Sequence, residues 1–312
     1  MAVYLGLNLA GPVVRTIDFD DGKSTQLTCY QQLGPIVGGW VVQSINSWRW
    51  SFYVCSIATA IVLIMVSIFL PETYAPKLNR KERPSLLDIP SALKRPFHLL
   101  ATQPIIQVLA AYGAIIFGIY YLFLTTVSRT FTETYGQSIG ISSLNYLAML
   151  FGFILSVGVS GKAMDKLYNR LSKDGAFPEA RMPYLAASGS ILPAGLLLYG
   201  WTARYKVFWL APDVGLFFVG IGILAPLIAI QHYILDCYSK RGFAASAMAG
   251  MNVLRFLAGF AFPLFADSLF EELGLGWGNS VLALVAFVVG GLSVSLWKLG
   301  PVLRRKSSKV EI

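Results

Sequence analysis

Residues 104–126 read PIIQVLAAYGAIIFGIYYLFLTT, and no charged side chain interrupts them. A helix rises about 1.5 Å per residue, so about 20 such residues cross a hydrocarbon core of about 30 Å. The pattern recurs along the chain. Nearly uncharged stretches of similar length occupy 50–70, 141–160, 182–201, 207–230, 244–265 and 278–299, and a broken eighth lies near the start. Within lipid every backbone N–H and C=O must be paired, so each run is expected as a helix rather than an open strand. Buried helices of a large water-soluble protein would carry polar stripes, which these runs lack. Composition agrees, with 55% hydrophobic and 13% charged residues, where a soluble domain averages about a quarter charged. The expected fold class is an all-α membrane protein. No early stretch has the form of a cleavable signal peptide, because a charged segment follows 1–14 without a small-residue cleavage site.

Lys and Arg outnumber Asp and Glu by 25 to 16, and they sort by loop. Segment 71–103 carries Lys77, Arg80, Lys81, Arg83, Lys94 and Arg95. The loop after Ser160 carries Lys162, Lys166, Arg170, Lys173 and Arg181. Lys240 and Arg241 mark a short turn, and the tail holds Lys298, Arg304, Arg305, Lys306 and Lys309. The intervening loops hold only Arg49, Arg129, Arg204 and Lys206. The positive-inside rule places the first set in the cytoplasm. The charge excess follows from topology, with attraction to anionic inner-leaflet lipid, and calls for no nucleic-acid partner. Cys29, Cys55 and Cys237 are too scattered for a disulfide framework, and His98 and His232 are too few for a metal site. No nucleophile–base constellation or Gly-rich phosphate loop is present, so neither an enzyme nor a cofactor is expected.

Near the start, Gly11-Pro12-Val13-Val14 and Gly34-Pro35-Ile36-Val37-Gly38-Gly39 flank a charged interruption. Joined, they read GPVVGPIVGG. This resembles motif C in the fifth span of drug:proton antiporters of the major facilitator superfamily. Further phrases follow in family order: Trp48-Arg49-Trp50, Leu70-Pro71-Glu72-Thr73, Arg95-Pro96-Phe97, Pro178-Glu179-Ala180-Arg181-Met182-Pro183, Gly200-Trp201-Thr202-Ala203, Gln231-His232-Tyr233, Pro263-Leu264-Phe265 and Leu273-Gly274-Leu275-Gly276-Trp277-Gly278. Together they resemble fungal twelve-span drug:proton antiporters from span five to span twelve.

The resemblance implies a major facilitator fold, incomplete, with about seven to eight transmembrane helices. It divides the chain into 1–70, a remnant of the amino-terminal six-helix half; 71–103, a cytoplasmic central loop; 104–300, the carboxy-terminal half; and 301–312, a basic tail. It implies proton-coupled efflux of a small organic molecule, with substrate, proton and lipid bilayer as partners, from the plasma membrane. Four further spans would be expected before Met1, and without them the expectation is that this chain alone does not transport. A non-transporting family member, from a truncated or wrongly assembled gene, is the alternative.

Segment 15–33 carries Arg15, Asp18, Asp20, Asp21 and Lys23. Each charge at a span's centre costs about 2.5–3.5 kcal/mol, so this segment is expected to loop into water and split the fifth span. It reads as a translated intron or another in-frame insertion, with a re-entrant loop as the rival.

Several residues suit a transport mechanism. Glycines let helix backbones approach and prolines bend them. By the resemblance, Gly11, Pro12, Gly34, Pro35, Gly38 and Gly39 would form the seal between two halves; a generic packing face is the alternative. Gly161, Asp165 and Lys166 match the family's loop motif G-x-x-x-D-[RK], where an acid at a helix end can accept from backbone donors or pair with a base; a solvated loop acid is the alternative. Arg255 is the only base within an apolar run, and such residues face a cavity or a partner. Gln231 and Asp236 are its nearest polar candidates in sequence, although Asp236 lies shallower. Tyr120, Tyr121, Asn145 and Asn252 are candidates for the cavity wall, while Asp213 reads as a surface acid.

Overall fold

The computed structural model describes residues 23–45, 47, 49–69, 89–171, 178–238 and 243–308. They form helices α1 (Lys23–Ile45), α2 (Arg49–Phe69), α3 (Ile89–Thr102), α4 (Pro104–Tyr135), α5 (Ile139–Leu144) and α6 (Tyr146–Leu171). A 3-10 turn (Pro178–Arg181) leads into α7 (Met182–Gly189), α8 (Ile191–Arg204), α9 (Leu210–Tyr238) and α10 (Ala244–Ser308). No strand occurs among the described residues. Among the described residues, five segments are long and apolar enough to cross a membrane: Pro104–Tyr135, Ile139–Leu171, Pro178–Arg204, Leu210–Tyr238 and Ala244–Gly291, with Arg49–Met65 shorter.

Local chemistry sets the ends of α4. The proline at position 104 restricts the residue before it to extended backbone, and Gln103 sits at φ −104°, ψ 102°. At the other end Gly136 is left-handed, with φ 66°. Its N–H donates to the Thr132 carbonyl at 3.1 Å, closing the helix with a left-handed glycine cap, and the Gln137 N–H donates to the Phe131 carbonyl at 3.3 Å.

The sequence predicts separate spans over 244–265 and 278–299, whereas helix α10 runs through both and is interrupted only at Gly274, with φ 71° and ψ 169°. A residue without a Cβ takes this conformation at low cost. Contacts show that the two limbs run in opposite directions. The first limb follows α4, with Arg255 beside Gly113, Phe262 against Gly118 and Asp267 bonded to Arg129. The second returns along α8 and α7, with Asn279 against Gly200, Gly290 near Gly189 and Gly300 against Glu179. Residues 104–308 thus pass six times along the bundle.

Glycine contacts hold the bundle together. Helix α9 lies against α8 through Gly195, Gly215 and Gly222, and against α6 through Gly152 and Gly220. In each case a Cβ would collide with backbone atoms of the neighbour. Without a hydrophobic drive between helices in lipid, such close approach supplies the packing. Around these contacts Leu109, Ile119, Phe123, Met149, Leu196, Leu216, Val219 and Ile230 are buried. Helix α1 packs on α5 and α6, and α2 touches α1.

Three boundaries differ from expectation. Residues 23–33, read as part of a loop, are helical and continuous with 34–45. The acids Asp18, Asp20 and Asp21 precede Lys23, and no charge follows until Arg49, so nothing electrostatic stops the helix from extending back to 23. Residues 15–22 lie outside the described residues. Segment 71–103, read as a loop, contains α3, and the last helix runs on to Ser308 instead of ending near 300.

Candidate functional site

Chemically distinctive side chains gather at three levels of the bundle. At the end formed by Tyr135, Ile139 and Arg204, α1 meets α5. Pro35 lies inside α1, Gly34 is buried, and Gly38 and Gly39 are half-buried. A Cβ on Gly39 would overlap the Ser143 side chain, whose hydroxyl donates to the Gly140 carbonyl at 2.7 Å. The Gly140 N–H in turn donates to Gln43 Oε1. This glycine face is therefore seated on another helix. Gly11 and Pro12 lie outside the described residues.

Asn145 belongs to the same level. Its side-chain nitrogen donates to Gln137 Oε1 at 2.8 Å and to the Ser142 carbonyl at 3.2 Å, fixing the junction between α5 and α6. Nearby, Ser142 and Ser128 share a hydroxyl hydrogen bond of 2.7 Å. Arg255 sits at the level of Gly113 and Phe117. From there to Ser128 is about 16 Å along α4 at 1.5 Å per residue, so Asn145 and Arg255 do not share a site. Asp213, read as a surface acid, is buried in the first turn of α9. The close backbone contact of α9 with α8 at Gly215, two residues on, draws that turn into the bundle.

The middle level is built from α4 and the first limb of α10. Arg255 Nη1 donates to Asn252 Oδ1 at 3.0 Å. Its guanidinium carbon lies 4.5 Å from the Phe117 ring centroid, within cation–π range. Phe117 packs on Tyr121 at 4.9 Å, and Tyr121 meets Tyr120 edge-on at 5.5 Å. The aliphatic stem of Arg255 covers Gly113, with Leu227 beside it. Tyr120, Tyr121, Asn252 and Arg255 are thus brought together, and half-buried Gln231 lies one turn beyond Leu227. Asp236 is elsewhere.

At the remaining end, Asp236 accepts from Arg181 Nε at 2.6 Å. Arg181 Nη1 lies 3.8 Å from Asp165 Oδ1, and its guanidinium sits 5.0 Å over the Tyr168 ring. Glu179 is fully buried and packed against Gly300. One cation therefore ties together the ends of α6, α7 and α9. Lys166 is exposed, and a Cβ on Gly161 would meet nothing within 4 Å, so packing demands glycine at 39 but not at 161.

Sequence reasoning placed Arg181 among loop charges and missed it as the centre of this cluster. The available signal was the proline pair at 178 and 183, which brackets a rigid turn just before an apolar run. Arg129 was also read as a loop charge. It bonds Glu133 and Asp267 at 2.7 Å each and approaches Glu271 at 3.8 Å, tying α4 to the first limb of α10. All four side chains are well exposed, so water and salt screen these pairs and they contribute little to stability.

Membrane-length helices, packed through glycines and carrying polar clusters at both ends and mid-depth, define a multi-pass membrane protein. Residues 31–263 match the family model of the Major Facilitator Superfamily, and the chain belongs to that family. It is 37% identical over 301 residues to the MFS-type transporter oryF of Aspergillus oryzae, an alignment covering 89% of this chain and 62% of that protein. The efflux pump radE of Floropilus chiversii is 35% identical over 87% of this chain and 54% of its own length. The efflux pump vrtL of Penicillium aethiopicum is 36% identical over 88% and 60%. The chain thus spans little more than half the length of the relatives it matches.

Proposed function

We propose that this chain forms the second six-helix half, with a gating helix from the first, of an exporter that moves small organic molecules out of the cell in exchange for protons. The observation that carries this reading is the seating of the α1 glycine face on α5. In a rocking transporter of two halves around a midplane site, a smooth helix face at the outer end is where the halves must close against each other. The relatives named as efflux pumps favour export over uptake. The cluster around Arg181 would hold the inner ends of α6, α7 and α9 as one unit, and Arg255 with Tyr120, Tyr121 and Asn252 would line the solute path.

The test is efflux by the complete gene product in sealed vesicles with an imposed proton gradient. Loss of solute accumulation on collapsing the gradient supports the reading, and accumulation that ignores the gradient defeats the coupling. Arg255→Ala is expected to lower the transport rate at least tenfold, while Arg129→Ala changes it by less than about twofold, because exposed pairs contribute little. Replacing Gln43 and Gly140 by cysteine is expected to give a disulfide under mild oxidant, read as a mobility shift after cleavage of the intervening chain. Trapping α1 on α5 should then stop transport, and reduction should restore it. A trapped protein that still transports would show that this contact is not a gate.

A further inference from the structure

Helix α3 has two unlike sides. On one, Leu99 is fully buried and Pro96 and Leu100 lie against Gly250 of α10, where a Cβ would come within 2.6 Å of the Pro96 carbonyl oxygen. On the other, Lys94, Arg95 and His98 are exposed together with Phe97, whose exposure is 56%. Neither Lys94 nor Arg95 pairs with an acid among the described residues. An exposed aromatic ring set among cations is the composition of a helix that lies in a lipid interface.

The helix is also held in place. The Gln103 N–H donates to the Leu99 carbonyl at 3.0 Å, and Gln107 Nε2 donates to the Ala101 carbonyl at 2.8 Å. With Gln103 itself buried, the corner between α3 and α4 is braced from both sides. Gly250 lies six residues into α10, about 9 Å from its start at 1.5 Å per residue. The exposed apolar stripe of Phe256, Leu257, Phe260 and Leu264 begins a further six residues on. The cations of α3 therefore sit just below the level where hydrocarbon-facing residues begin.

We propose that the exposed face of α3 binds anionic phospholipid headgroups of the inner leaflet, with Phe97 in the acyl boundary and Lys94 and Arg95 on the phosphates. The cytoplasmic leaflet is negatively charged, and each Lys or Arg near its surface contributes an attraction equivalent to about fivefold in affinity. Because α3 is braced to α4 and packed on α10, lipid charge acts on the two helices that carry Phe117 and Arg255. The surface rests on the membrane reading of the chain, not on export.

The experiment places p-benzoylphenylalanine at position 97 of the full chain. The chain is reconstituted in vesicles of phosphatidylcholine alone or of an equimolar phosphatidylcholine–phosphatidylserine mixture, illuminated, and the adducts on the peptide spanning 97 are weighed. The expected result is phosphatidylserine adducts enriched about fivefold or more over the bulk ratio, falling to the bulk ratio in K94Q/R95Q. Soluble glycerophosphoserine in excess should leave the enrichment unchanged. Adducts at the bulk ratio in the unsubstituted charge background, cross-links to protein instead of lipid, or full competition by the soluble headgroup would each overturn the proposal. A chain that fails to enter vesicles at all would count against the membrane reading itself.

Discussion

Gly222→Leu is expected to leave almost no folded protein after extraction in mild detergent. Helix α9 runs through the middle of the bundle and touches α8 and α6 at backbone distance. A Cβ on Gly222 would lie 2.4 Å from the Leu192 nitrogen and 2.5 Å from its Cα. These are main-chain atoms of a helix, and no rotamer change relieves the clash. Accommodating a leucine would push α8 away along its length and undo the companion contacts at Gly195 and Gly215. Overpacking in a core costs about 1–3 kcal/mol even where side chains can shift, so a collision with main-chain atoms that also undoes the neighbouring contacts should exceed about 3 kcal/mol. The control is Gly158→Ala, where a Cβ meets nothing within 4 Å. Its effect should stay within about 1 kcal/mol, the helix-propensity difference between the two residues. Size-exclusion of the solubilised chain with its thermal midpoint reads both. If Gly222→Leu elutes as a sharp species with an unchanged midpoint, the glycine interface does not hold the bundle.

Arg181→Ala carries the second large effect. Arg181 is 11% exposed and Asp236 32%, and their bond of 2.6 Å is charge-assisted. Removing the guanidinium leaves Asp236 half-buried near Asp165, with the fully buried Glu179 in the same turn as the lost cation. Breaking a buried pair costs about 3–5 kcal/mol because the surviving charge is stranded, and partial access of Asp236 to water brings the expectation to about 2–3 kcal/mol. Asp236→Asn should cost less, since it keeps an acceptor and removes a charge. Arg181→Lys should recover only part of the loss, because a point charge cannot reach Asp236 and Asp165 from one planar fork. A thermal midpoint for Arg181→Ala equal to that of the unsubstituted chain would mean that the cluster holds nothing together.

These two sites show where sequence reading stops. The membrane-length helices and the family were legible from runs such as 104–126 and from phrases such as GPIVGG. Asp236 is legible as a polar residue at a span end, shallower than Arg255, but the sequence does not say which base it meets. In the structure it turns to Arg181, 55 residues earlier, since α9 packs on α6 and α7 at that end. Asn145 was counted with the cavity for its amide and instead braces a helix junction. The break at 274 was expected as a loop, but a single glycine suffices.

By itself the sequence determined the solvent of each segment, because hydropathy and loop charge are sums over about 20 neighbouring residues that need no knowledge of distant contacts. The tertiary structure alone decided which polar groups meet. That outcome depends on the rotation and offset of whole helices, and these are set by where glycines such as Gly152, Gly195 and Gly222 let backbones touch.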